Sequence, residues 1–155
     1  MNKKCFTVVE LITSFALTMV ICIFLFEVLI DVKDIYIETA IKTNIQQKLA
    51  IVSKNIKRTV GPRGTTASCS NNVCKVNGVN SAIAITGNAI KASGQKYEMP
   101  NGVEIDPAST ITSYCVENKN NCFITLNLIL KSQSLKEDYN YKVVFYYYDY
   151  TSVSS

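Results

Sequence analysis

The chain has 155 residues, with 16 Lys and Arg against 12 Asp and Glu, no histidine, no tryptophan and six cysteines. That length leaves room for one modest domain beside any membrane segment, and a formal net charge of +4 that includes Lys3 and Lys4 is a weak footprint for nucleic acid or an anionic surface. Without histidine there is no His-assisted Ser or Cys nucleophile and no imidazole zinc ligand, so an enzyme is the least favoured class and no cofactor or metal is expected.

In chain order, Lys3 and Lys4 lead into a near-continuous apolar run over residues 11–26, relieved only by Thr13, Ser14 and Thr18. A helix of a soluble core would turn a polar residue outward every third or fourth position, so this one is suited to lipid. No small-residue cleavage site follows Phe26; Glu27-Val28-Leu29-Ile30-Asp31 continues in helix-forming sequence, and the segment is expected to stay attached. Cys5 precedes the run, whereas the cysteine of a lipoprotein would follow it. As a helix, residues 6–30 reach about 37 Å, enough to cross a hydrocarbon layer of roughly 30 Å. Lys3 and Lys4 favour a cytoplasmic N-terminus, and Glu27, Asp31, Asp34 and Glu38 follow beyond the run, which places the bulk of the chain outside. Glu10 stands one turn into the apolar stretch. An unpaired carboxylate there is costly unless it snorkels to the headgroups or finds a cation.

From Asp31 the pattern becomes amphipathic: Ile37, Ile41, Ile45, Leu49, Val52 and Ile56 recur at spacings of three and four, with Lys42, Gln46, Gln47, Lys54 and Lys57 between them. No Gly or Pro interrupts residues 6–60, so one long helix is predicted, ending at Gly61-Pro62-Arg63-Gly64. Residues 61–70 read as a Gly/Thr/Ser loop without the Gly-Lys-Ser/Thr ending of a phosphate loop. Short strands follow over 73–77, 82–86, 89–92 and 96–99, separated by Asn77-Gly78, Gly87-Asn88 and Ser93-Gly94. Asn101-Gly102 and Pro107 mark turns before a strand over 111–116. The clearest strand is 123–130, with Ile124, Leu126, Leu128 and Leu130 on one face; residues 141–150 form a second long strand paired with it. A stacking platform built from Tyr146, Tyr147, Tyr148 and Tyr150 is disfavoured by Asp149 and the near-balanced charge, so tyrosines on both faces of a half-buried strand are expected.

Cys5 and Cys22 belong to the N-terminal segment, and Cys22 reads as a small apolar residue of the membrane helix. Cys69, Cys74, Cys115 and Cys122 form an even set in the outer part of the chain. Four cysteines allow three connectivities; Cys69 with Cys74 and Cys115 with Cys122 is preferred, because each pair brackets a short polar turn. An all-cysteine zinc site is the weaker alternative, since the gap between Cys115 and Cys122 is loose for a zinc knuckle.

Lys3-Lys4-Cys5, Phe6-Thr7-Val8-Val9-Glu10 and Leu11-Ile12 resemble the cleavage and methylation signal of type IV pilins and type II secretion pseudopilins. That resemblance implies a cut between Cys5 and Phe6 by a prepilin peptidase, N-methylation of Phe6, and a Glu10 that neutralises the terminal amine of a neighbouring subunit during assembly. The family usually has Gly where Cys5 stands. Residues 49–58 also look like the helix end of minor pilins of the PilW and pseudopilin J type. The implied fold is α+β and pilin-like: a leader over 1–5, a transmembrane or filament-core half over 6–30, an amphipathic half over 31–60, and a β-rich head over 61–155 carrying an antiparallel sheet. The implied partners are other subunits, the peptidase, a membrane assembly platform and membrane lipid, with nucleic acid reached only through a DNA-uptake system. The implied location is a bacterial membrane, single-pass, and then a filament serving adhesion, secretion or DNA uptake. The competing expectation is a signal-anchored protein with a small extracellular binding domain and no filament.

Overall fold

The structure, a computed structural model, describes residues 7–61, 66–116 and 121–148. One α-helix, α1, spans Val8–Val60, and nine strands follow it: β1 (Ala67–Ser70), β2 (Val73–Val76), β3 (Val79–Thr86), β4 (Ala89–Ala92), β5 (Gln95–Glu98), β6 (Glu104–Ile105), β7 (Thr110–Cys115), β8 (Asn121–Lys131) and β9 (Tyr139–Tyr148). The fold is α+β, with the helix packed on antiparallel sheet, as the periodicities predict.

The helix runs unbroken through its 53 residues because nothing in it removes a backbone donor or adds a glycine's entropy cost. It ends where Gly61 takes φ 63° and donates to the Lys57 carbonyl at 3.2 Å, a left-handed closure that a β-carbon would disfavour. Lys57 and Arg58 in the last turn complement the carbonyl end of the helix dipole. The chain divides into two compact units, residues 1–39 and 40–155. In the first, every helical residue from Val8 to Tyr36 is exposed, apolar ones included. In the second, Ile45, Leu49, Val52, Ile56 and Val60 are buried at spacings of four, three, four and four, with Ile41 partly buried beside them. The expected stripe therefore forms the helical wall of the head's core.

The strands fall into two sheets. The first is a five-stranded meander in sequence order, β1-β2-β3-β4-β5. Each of its connections is a two-residue turn: Asn71-Asn72, Asn77-Gly78, Gly87-Asn88 and Ser93-Gly94. Asn71, Asn72, Asn77, Gly78, Ser93 and Gly94 all take positive φ, so three of the turns twist with the strands as mirror-image turns do. The last four residues of the expected 61–70 loop form a strand instead: Ala67–Ser70 is β1, paired with β2 in the register Cys69↔Cys74. Its Ser and Cys composition hides it from pattern reading, and the pairing across Asn71-Asn72 supplies what propensity does not.

The second sheet is built on β8. β9 covers one edge over the full span Asn121↔Tyr148 to Leu130↔Tyr139. β6 and β7 share the other edge end to end, β6 at Leu130 and Lys131 and β7 from Cys122 to Asn127. β8 alternates strictly, with Cys122, Ile124, Leu126, Leu128 and Leu130 buried. Both sheets and the second half of α1 contribute to one core. β9 begins two residues earlier than expected, and Tyr150 and the tail lie outside the described residues.

Two disulfides sit at directly opposed cross-strand positions. Cys69 and Cys74 have an S–S distance of 1.99 Å and Cys115 and Cys122 one of 2.05 Å, the pairs expected from their spacing. Each closes a short hairpin. Replacing Cys69 and Cys74 together by alanine is expected to lower head stability by about 2 kcal/mol, the loop-closure entropy of so short a loop. Urea unfolding of the detergent-solubilised protein, followed by its tyrosine signal, checks this; an unchanged midpoint would mean the unfolded state gains nothing from the crosslink.

Candidate functional site

Among the expected site residues, Cys5 and Phe6 lie outside the described residues, which begin at Thr7. Thr7 caps α1. Its Oγ1 accepts from the Glu10 N–H at 3.3 Å, while the Glu10 carboxylate accepts from the Thr7 N–H at 3.0 Å and from the Thr7 hydroxyl at 3.1 Å. This reciprocal pair is a capping box, Thr-x-x-Glu, and it satisfies backbone donors that the first turn of a helix otherwise leaves open. Glu10 thus has a local role that neither the snorkelling nor the ion-pair expectation contained. The Thr-Val-Val-Glu spacing could have revealed it, had the carboxylate been read against the helix start rather than against the lipid.

Two polar side chains within the apolar run also bond back to the helix. Thr13 donates to the Glu10 carbonyl at 3.1 Å and Thr18 to the Ser14 carbonyl at 2.8 Å. In a medium that cannot hydrogen-bond, such self-satisfaction removes the cost of a hydroxyl. Cys22 is free and exposed on the same stretch. The helix is long and apolar enough to cross a membrane.

The head is organised by asparagines that pattern reading treats only as turn formers. Asn72, at φ 61°, donates through Nδ2 to the Ser109 carbonyl at 2.9 Å and accepts at Oδ1 from the Ile111 N–H at 3.1 Å. The turn of the first sheet is thereby stitched to the start of β7. Asn88 does the same two hairpins later, donating to the Val103 carbonyl at 2.7 Å and accepting from the Ile105 N–H at 2.9 Å. Ser109, the buried polar residue of the core, accepts from the Ile129 N–H at 2.9 Å and so fills the ladder of β8 where β6 has ended and β7 has not begun. Next to it Asp106 meets Lys131 at 2.6 Å and accepts from the Ala108 N–H at 2.7 Å.

The lysine's hydrogen bond, with that backbone donor, holds the Asp106 carboxyl below the usual carboxylate range. A carboxyl with a depressed folded-state pKa stabilises fully above the unfolded value and stops doing so as pH falls through the folded one. Asp106→Asn is therefore expected to unfold at lower urea than the parent at neutral pH and to converge with it in acid. Equal separation of the two midpoints at neutral and acidic pH would contradict this assignment.

On the solvent face of the second sheet, Tyr114, Phe123 and Tyr146 stand side by side across β7, β8 and β9, with ring centroids 5.2 and 6.2 Å apart. Their planes are inclined at 43° and 65°, so the rings pack on one another as cross-strand pairs and offer no flat platform. Tyr147 is buried and donates to the Ala67 carbonyl at 3.2 Å, while Tyr146 and Tyr148 are exposed: the tyrosines do lie on both faces of the strand. The four head cysteines are taken up in disulfides rather than gathered as thiolates, and no group of three His, Cys, Asp or Glu able to hold a metal occurs among the described residues.

No family model matches the chain, and neither does any curated protein or any solved structure.

Proposed function

We propose that this protein is a structural subunit, of the minor kind, of a type IV pilus-like filament or pseudopilus. The observation that carries the reading is a carboxylate, Glu10, at the head of an exposed apolar helix long enough to cross a bilayer. The N-terminal motif supplies the rest. A peptidase cut between Cys5 and Phe6 frees an ammonium at Phe6 that is then methylated, and Thr7 and Glu10 both remain on the mature chain. In a row of such helices the ammonium of one copy meets the Glu10 carboxylate of the next. Two desolvated charges are tolerable only together, so the pair fixes the axial register of assembly. The apolar surface from Val8 to Ile35, exposed on a single chain, is covered by lipid before assembly and by neighbouring helices after it. The head, on the outer side of a bacterial membrane, then takes part in adhesion, secretion or DNA uptake. Mass determination of the mature N-terminus in cells carrying a prepilin peptidase tests this: an N-methylated Phe6 is expected, and an intact leader would overturn it.

One observation favours a second reading, a signal-anchored protein with a small extracellular binding domain. The capping box gives Glu10 a purpose within its own helix.

A further inference from the structure

Among the described residues, no strand pairs with the outer edge of the last strand, β9. Val116 donates to the Asn121 carbonyl at 3.1 Å and Asp106 to the Ile129 carbonyl at 2.8 Å, so the backbone groups of these odd-numbered β8 residues face β6 and β7. Alternation along an antiparallel ladder turns the even-numbered residues toward β9, where they meet Tyr139, Tyr141, Val143, Phe145 and Tyr147. The N–H and C=O groups of Lys142, Val144 and Tyr146 consequently point away from the sheet. Among the described residues no backbone hydrogen bond reaches them.

Open edges are ordinarily blunted by shortness, charge, proline or a bulge. β1 and β5 are four residues each, and β5 carries the Lys96–Glu98 ion pair. The free side of β7 lies along β1, where the Cys69 N–H donates to Ser113 Oγ at 3.0 Å. β9 is ten residues long, has neither Gly nor Pro, and keeps one continuous register with β8. Along it runs a groove of about 660 Å³ between residues 143–146 and the last turns of α1, where Lys54 and Lys57 form the wall. Ser53 Oγ and the Tyr141 hydroxyl, 2.6 Å apart, tie helix to strand beside it.

We propose that this edge and groove are a strand-addition site for an extended, carboxylate-bearing segment of a partner protein. The guest backbone pairs with Lys142, Val144 and Tyr146, its apolar side chains enter the groove, and its carboxylates meet Lys54 and Lys57. Charge selects this guest. Among the described residues no carboxylate lines the groove, and neither lysine has an ion pair. A second copy's β9 is the wrong guest, because residues 139–148 contain Lys142 and no acid. The inference rests on the head alone and holds with or without a filament.

The probe is a fluorescein-labelled nine-residue peptide alternating valine with glutamate, with its lysine counterpart as control, titrated against full-length protein in detergent micelles. The glutamate peptide is expected to bind at least about tenfold more tightly, to lose affinity with added salt, and to slow hydrogen exchange within 139–148. Val144→Pro removes an outward N–H without touching the β8 ladder, so it should abolish binding in a folded protein. Lys54→Glu with Lys57→Glu, both at exposed positions, should invert the preference toward the lysine peptide. Absence of binding, equal affinity for both peptides, or binding that survives Val144→Pro without protecting β9 would each overturn the proposal.

Discussion

Glu10→Gln should abolish incorporation of the protein into sheared filaments while leaving its helix capped and its membrane insertion intact. Glutamine serves in a capping box as glutamate does, because the side-chain oxygen still accepts from the Thr7 N–H and hydroxyl. What it loses is the charge. Glu10→Ala removes both, so alanine alone cannot separate an assembly role from a capping role. The expected pair of results is loss of incorporation in both variants, with fraying of the first turn only in alanine, at a cost on the order of 1 kcal/mol. A glutamine variant that incorporates at parental level would instead assign Glu10 to its own helix and favour the anchored, filament-free reading. Immunoblots of sheared and cellular fractions give the first readout, and hydrogen exchange at the helix start gives the second.

Leu49→Ala should lower the stability of the head by about 3 kcal/mol, a large share of what a domain of this size has. Leu49 is 1% exposed and sits mid-way along the buried stripe, in the same core as Leu126, Leu128 and Leu130. Truncation there leaves a void that sheet on one side and helix on the other cannot close. Leu17→Ala is the control: Leu17 is 65% exposed on the apolar stretch and lies in the other compact unit, so the urea midpoint of the head should not move. If Leu49→Ala unfolded no earlier than Leu17→Ala, the amphipathic half of α1 would have to be an appendage of the head rather than one of its walls.

Much of this fold is legible in the sequence because its signals are local. β8 declares itself by strict alternation, the helix by an uninterrupted change from apolar to amphipathic pattern, and the hairpins by Asn77-Gly78 and Ser93-Gly94, whose backbones adopt the left-handed conformation those residues tolerate. What escapes is set by partners distant in sequence. β1 has no strand-like composition and exists through its pairing with β2 and its bond to Ser113. The two sheets are joined by Asn72 and Asn88 reaching across to Ser109, Ile111, Val103 and Ile105, contacts 15 to 39 positions apart that periodicity does not register. At the N-terminus the difficulty is different: Glu10 fits two patterns at once, the helix cap that the structure shows and the assembly motif that the sequence resembles.

The Ser53–Tyr141 bond joins residues 88 positions apart, and its neighbours on the helix share a core with strands from the end of the chain. Synthesis proceeds at roughly 5–20 residues per second, so the stripe from Ile45 to Val60 is made about 4–18 s before β8 and β9 can cover it. The meander between them closes through two-residue turns and can order as it emerges. For that interval the growing chain carries two apolar helical surfaces, one matched to lipid and one waiting for a sheet. How long the second surface stays uncovered is therefore governed by the pace of translation as much as by the stability of the finished head.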